Sequence, residues 1–176
     1  MDWQTLFQHP ALKPPATDAE IAHLQESVLA PLSAAEIDTI NARQQSLWPP
    51  TDSLHDGDQP FDSSRWQIPQ RRFPASYVEF LRWSNGGDYV HGERFFMLFC
   101  SAEIRGHLLD YQLPEYMPGA IPFGFDGAGT FYLFDMHQEP VDGEYPIIMA
   151  HSGCLGWEED DVLLLAETFP QVFAVV

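Results

Sequence analysis

The sequence predicts an α+β fold: a single antiparallel (mixed) β-sheet with helices packed on one face. Three observations carry this. Two capping boxes, Thr17-Asp18-Ala19-Glu20 and Ser33-Ala34-Ala35-Glu36, open helical patterns early in the chain. Residues 73–87 form a delimited helix, with Pro74 at its first turn and Asn85-Gly86-Gly87 at its exit. Two aromatic runs, 121–125 and 130–135, flank Asp126-Gly127-Ala128-Gly129, a β-hairpin pattern.

In chain order, Trp3, Leu6 and Phe7 stand at helical spacing before a proline-rich break at Lys13-Pro14-Pro15. Ile21, Leu24 and Val28 follow the first capping box on one face, so 18–30 reads as a helix that Pro31 ends. The second box leads through Ile37 and Ile40 to about Ser46. Residues 49–72 hold no period and read as a long connection that Phe61, Trp66 and Ile68 tack to the body. In the next helix Tyr77, Phe80, Leu81 and Ser84 make the buried stripe, and the glycine exit is expected as a left-handed C-cap. Residues 93–100 read as a buried strand, and 101–111 as a helix with Ile104, Leu108 and Tyr111 inward. Residues 113–119 read as loop. After the hairpin, 145–150 form a strand whose Pro146 suggests its start or an edge. Residues 162–166 are ambiguous by period and are assigned as strand, because Thr168-Phe169-Pro170-Gln171 resembles a further capping box opening a terminal helix.

Composition fits one packed domain: 176 residues, 45% apolar and 14% aromatic. Two cysteines make no disulfide framework, the N-terminus is not a secretory signal, and no apolar run spans a bilayer. A soluble, cytoplasmic setting is expected. The formal charge is −18, with eight Lys and Arg against 26 acids. All eight bases lie in residues 1–105, whereas residues 106–176 carry 12 acids and no base. Clustered cations are what a phosphate backbone requires, so nucleic acid and anionic membrane are not expected partners. Such acidity serves solubility or the attraction of a basic partner. Arg65, Arg71 and Arg72 are the densest basic group and are expected to pair with acids.

No catalytic constellation stands out. Asp126-Gly127-Ala128-Gly129 lacks the lysine of a phosphate loop and the spaced acids of a calcium loop, and reads as a turn. His137, His151, Cys154 and Asp135 fit no metal-ligand spacing, and no metal or cofactor is expected. Ser152 or Cys154 with His151 lacks a nucleophile-elbow context. Asp135 ends its strand and caps a turn.

The order of elements resembles the SUKH superfamily, founded on the Smi/Knr cell-wall-assembly regulators. The resemblance runs from about Thr17 to Phe173. It rests most on Pro74, Tyr77, Phe80-Leu81 and Asn85-Gly86-Gly87, and on the Pro122-Phe123-Gly124 hairpin that ends at Asp135. The segment from Ala166 to Phe173 is similar to the closing element of that family, with Thr168 where serine is usual. The segment 49–72 departs from it as a loop insertion. On this reading residues 1–16 are an N-terminal extension and 17–176 one SUKH-like domain.

The resemblance implies a non-catalytic binding protein. Bacterial members are mostly immunity proteins that neutralise a toxin, often a nuclease or deaminase, by binding it. A cognate toxin is therefore the expected partner, and a Smi/Knr-like regulatory scaffold is the alternative. An acidic inhibitor is steered onto a basic active site. The acids available for this are Asp126, Asp135, Asp142, Glu144, Glu158, Glu159, Asp160 and Asp161, with Trp157 as an aromatic anchor. A monomer or weak dimer is expected.

Overall fold

A computed structural model describes residues 2–43, 51, 62, 66 and 68–174; the side chains of Gln8 and His9 are excepted. The structure is α+β, with helices packed against one seven-stranded sheet. The strands are β1 (Gln8–Leu12), β2 (Gly87–His91), β3 (Arg94–Leu98), β4 (Ala120–Phe125), β5 (Thr130–Asp135), β6 (Ile147–His151) and β7 (Val162–Ala166). Each pairs antiparallel with the next in sequence order.

The helices are α1 (Trp3–Leu6), α2 (Asp18–Ser27), α3 (Ala34–Arg43), α4 (Ala75–Trp83), α5 (Ile104–Asp110) and α6 (Leu113–Tyr116). Both early capping boxes form. Thr17 Oγ1 accepts the Glu20 N–H at 3.2 Å, and Glu20 Oε2 accepts the Thr17 N–H at 2.7 Å. Ser33 and Glu36 exchange the same pair of bonds at 2.8 and 3.3 Å.

Helix α4 buries Tyr77, Phe80 and Leu81 completely, as its spacing predicts. Tyr77 meets Phe134 at 5.1 Å and Phe169 at 5.1 Å, and Phe80 meets Trp3 at 5.3 Å. Phe131 alternates with Tyr132 and so points away from α4. Tyr111, just past α5, closes on it at 4.7 Å.

The exit of α4 differs from the expected left-handed cap. Ser84 leaves the helix extended (φ −150°, ψ 124°), and positive φ begins only at Gly86 (+81°). The polar side chains explain this. Ser84 Oγ accepts the Lys13 N–H at 3.0 Å, and Asn85 Oδ1 accepts the Ser101 N–H at 2.8 Å. Glycine is required at 86, because a Cβ there would lie 2.7 Å from the backbone of Leu98, Phe99 and Cys100.

Four further elements depart from expectation. Residues 8–12, within the expected extension, form edge strand β1 on β2, while Trp3 and Phe7 enter the core. Strand β2 follows directly after the glycine exit. It joins β3 through Gly92-Glu93, with φ +60° at Gly92. Residues 113–116, expected as loop, form α6, with Pro114 in its first turn where a missing N–H is harmless. The expected terminal helix is one 3-10 turn, Pro170–Phe173. Its cap does not form because Gln171 Oε1 accepts the Glu167 N–H at 3.2 Å instead.

Most of 49–72, including Phe61 and Arg65, lies outside the described residues. Trp66 is buried as expected against Ile40 and Leu109, and its indole N–H donates to Glu115 at 2.8 Å.

Candidate partner-binding surface

The fold sorts the sequence-predicted acids into two groups. Strand register pairs Thr130 with His151 and Phe134 with Ile147, so the two ends of the β5–β6 pair are well separated. Asp126 and the connection 152–161 depart from one end. Asp135, Asp142 and Glu144 lie at the other.

Asp126 is a turn residue. Its Oδ1 accepts the Ala128 N–H at 2.7 Å and the Thr130 N–H at 2.9 Å, and Gly127 and Gly129 have positive φ. Partial burial pushes its pKa up, but the Thr130 and Ala128 N–H bonds outweigh that and hold it below the ordinary value. The tetrapeptide is therefore a tight turn closed by its own aspartate.

Asp135 is 6% exposed and accepts from both the backbone N–H and Nδ1 of His137. Glu144 accepts the Phe169 N–H at 3.4 Å. Both carboxylates thus have internal work.

Asp142 is fully available. It sits at φ +52° beside Gly143 (φ +79°), at the tip of a hairpin in which Val141 and Glu144 exchange two backbone bonds of 3.0 Å. Two successive positive φ values are the signature of a type I′ turn, which favours Asp-Gly.

Glu158, Glu159 and Asp160 are exposed, and Asp161 is half-buried in a turn closed by its N–H on Glu158 O at 3.0 Å. Trp157 is half-buried and reaches back across the sheet. Its ring lies 4.6 Å from His137, next to Asp135, so one aromatic residue links the two acidic groups. His137 and Trp157 line a cleft of about 520 Å³ with Arg71, Gly119 and Met136.

The cations are mostly engaged elsewhere. Lys13 pairs with Glu103, Arg43 with Asp110, Arg71 with Glu139, Arg82 with Asp18, and Arg105 with Glu36. Arg71 thus pairs with an acid as expected, and its Nη1 also donates to Gln138 O. Among the described residues no cation pairs with Asp142, Glu158, Glu159, Asp160 or Asp161.

Sequence reasoning missed a neighbouring feature. The exposed Leu163 and Leu164 of β7 adjoin the acidic run, at 61% and 54% exposure. Their apolar run read as a strand with no face assigned, and only the position of β7 at the sheet margin, a tertiary fact, reveals them.

The metal and nucleophile alternatives gain no geometry. His151 pairs across to Thr130, while His137 and Asp135 lie at the other end of β5, and Cys154 is exposed. Among the described residues no group of three His, Cys, Asp or Glu is placed to hold a metal. Among them too, no helix is long and apolar enough to cross a membrane.

Comparison with known proteins finds a match over residues 65–174, well over half the chain, to the family described as SMI1 / KNR4 family (SUKH-1). No curated protein matches the chain.

Proposed function

Since the chain belongs to the SMI1 / KNR4 family (SUKH-1), we propose that it acts by binding, without catalysis, as a cytoplasmic immunity protein that neutralises a cognate toxin. SUKH domains are commonly toxin immunity proteins. The observation that carries the reading for this chain is its allocation of charge. Residues 106–176 hold 12 acids and no base, and Asp142, Glu158, Glu159 and Asp160 project without a cationic partner among the described residues.

Such a surface suits a basic active site, of the kind that binds nucleic acid. Electrostatic steering raises association rates by about one to three decades at low salt. Within the surface Asp142, Glu158, Glu159, Asp160 and Asp161 meet the partner, with Trp157 as the aromatic contact. Asp126, Asp135 and Glu144 hold the loops that present them.

The test begins with the genes beside this one. Where a large secreted protein with a variable C-terminal domain is encoded there, that domain is co-expressed with this chain; the absence of such a protein favours a regulatory scaffold. Growth is restored and a stoichiometric complex elutes from a sizing column. A complex without rescue favours a regulatory scaffold, and neither complex nor rescue overturns the reading.

A further inference from the structure

The sheet has two margins, and they are built differently. Strand β1 is guarded: it contains Pro10, and its register slips between Gln8 and Ala11. Proline removes a backbone donor from such an edge and keeps it from recruiting another strand. Strand β7 slips once against β6, where Leu165 is the extra residue between Leu164 and Ala166, but it has no proline. It reads Val-Leu-Leu-Leu-Ala, without proline, lysine or any charge, and among the described residues nothing pairs with its outer side. Leu163 and Leu164, on alternate faces, are each more than half exposed.

From this we infer that the outer edge of β7 accepts an extended basic segment of a protein partner as an eighth strand; the identity of that partner as a toxin rests on the reading above. Backbone groups along the edge supply the hydrogen bonds. The two leucines supply an apolar contact on each face, which is the general mode of strand addition.

Charge selects the occupant. Asp161 and Glu167 bracket the five residues of β7. At about 3.4 Å per residue, less the residue taken up at the slip, they stand about 17–20 Å apart along the edge. A second copy of this chain is disfavoured. In antiparallel self-pairing centred on Leu164, Asp161 of each copy would come close to Glu167 of the other, and like charges close across a pair destabilise it. The net charge of −18 adds repulsion. The complementary segment carries a cation at each end of an apolar, β-prone stretch, six positions apart.

Hydrogen–deuterium exchange on the full chain tests this with the synthetic peptide Lys-Thr-Val-Thr-Val-Thr-Lys and its twin with Glu at both ends. At about ten times its Kd the Lys peptide slows exchange of the β7 amides about tenfold. The Glu peptide leaves them unchanged, and raised salt weakens the protection. The variant Leu163→Lys/Leu164→Lys loses the protection while melting as the parent does, since both side chains are largely in solvent.

Equal protection by both peptides, or none by either, overturns the inference. So does protection that grows with protein concentration alone, alongside a dimer in sedimentation. A toxin domain that is bound and neutralised while the β7 amides stay unprotected overturns strand addition in the complex and leaves the immunity reading standing. Protection by the Lys peptide without rescue of toxin-expressing cells retains the edge site and removes the immunity reading.

Discussion

At the scale of single residues, Tyr77 carries into the core a polar atom with no partner among the described residues. The Tyr77 side chain is completely buried among Phe73, Phe80, Phe123, Phe134 and Phe169, and its hydroxyl has no hydrogen-bond partner among the described residues. Burial pushes its pKa far up, so it stays neutral. An unsatisfied buried hydroxyl costs about 1–3 kcal/mol, whereas the ring contributes through packing. Tyr77→Phe should therefore leave the urea midpoint unchanged or raise it, while Tyr77→Ala should lower stability by about 3–5 kcal/mol. A destabilised Phe variant would show that the hydroxyl contributes a bond. The burial of Tyr77 was legible from its place on the α4 stripe. Its missing partner was not, because that depends on the rings of Phe123, Phe134 and Phe169 arriving from distant segments.

At the scale of elements, one cation joins three helices. Arg105 on α5 is 15% exposed at its side chain and donates to both oxygens of Glu36 at 2.6 and 2.9 Å. It also donates to the carbonyls of Ser27, Val28 and Ala30 at 2.6–3.0 Å. A positive charge thus sits on the carbonyls where α2 ends, and is locked to the start of α3. Arg105→Ala should cost about 2–4 kcal/mol in urea denaturation. The Arg105 bonds hold the Glu36 pKa down at about 2. A depressed carboxylate stabilises the fold fully above its unfolded pKa, near 4.5. That contribution fades as pH falls toward 2. The stability difference between the parent and Glu36→Gln should therefore be largest above about pH 5 and shrink steadily below it.

Helices with local caps were legible for the same reason that such caps work: Thr17–Glu20 and Ser33–Glu36 satisfy their bonds within four residues. Strand β1 was not, because Pro10 and the neighbouring polar residues hide its alternation and its partner lies far along the chain. At the C-terminus the Thr168 and Gln171 pattern misled, since Gln171 spends its side chain on Glu167.

At the scale of the whole molecule, charge is the organising asymmetry. Among the described residues five Lys and Arg side chains are engaged by acids, and Asp142, Glu158, Glu159 and Asp160 are exposed with no cation paired to them. Replacing Glu158, Glu159, Asp160 and Asp161 by lysine should slow association with a basic toxin domain by tenfold or more at low salt and flatten its dependence on ionic strength. Stopped-flow mixing across a salt series reads this directly; equal slopes for parent and variant would remove steering from the account. The acids themselves were legible from counting. Their division was legible in part: Asp126 and Asp135 read as turn residues, but alternation and spacing cannot reveal that Asp135 is buried against His137 or that Trp157 spans the gap.

The position of β1 has a consequence for how the chain reaches this state. Every later pair in the sheet joins neighbouring strands, β2 to β3 through only two residues. Strand β1 alone must wait, because its partner residues at Gly87, Asp88 and Val90 follow three helices. Closing that long loop carries the largest entropic cost in the sheet, so β1 should dock after the meander from β2 to β7 has formed. During synthesis the strand of this sheet made before the other six is thus the last to be zipped in, and until then β2 stands as an unguarded margin.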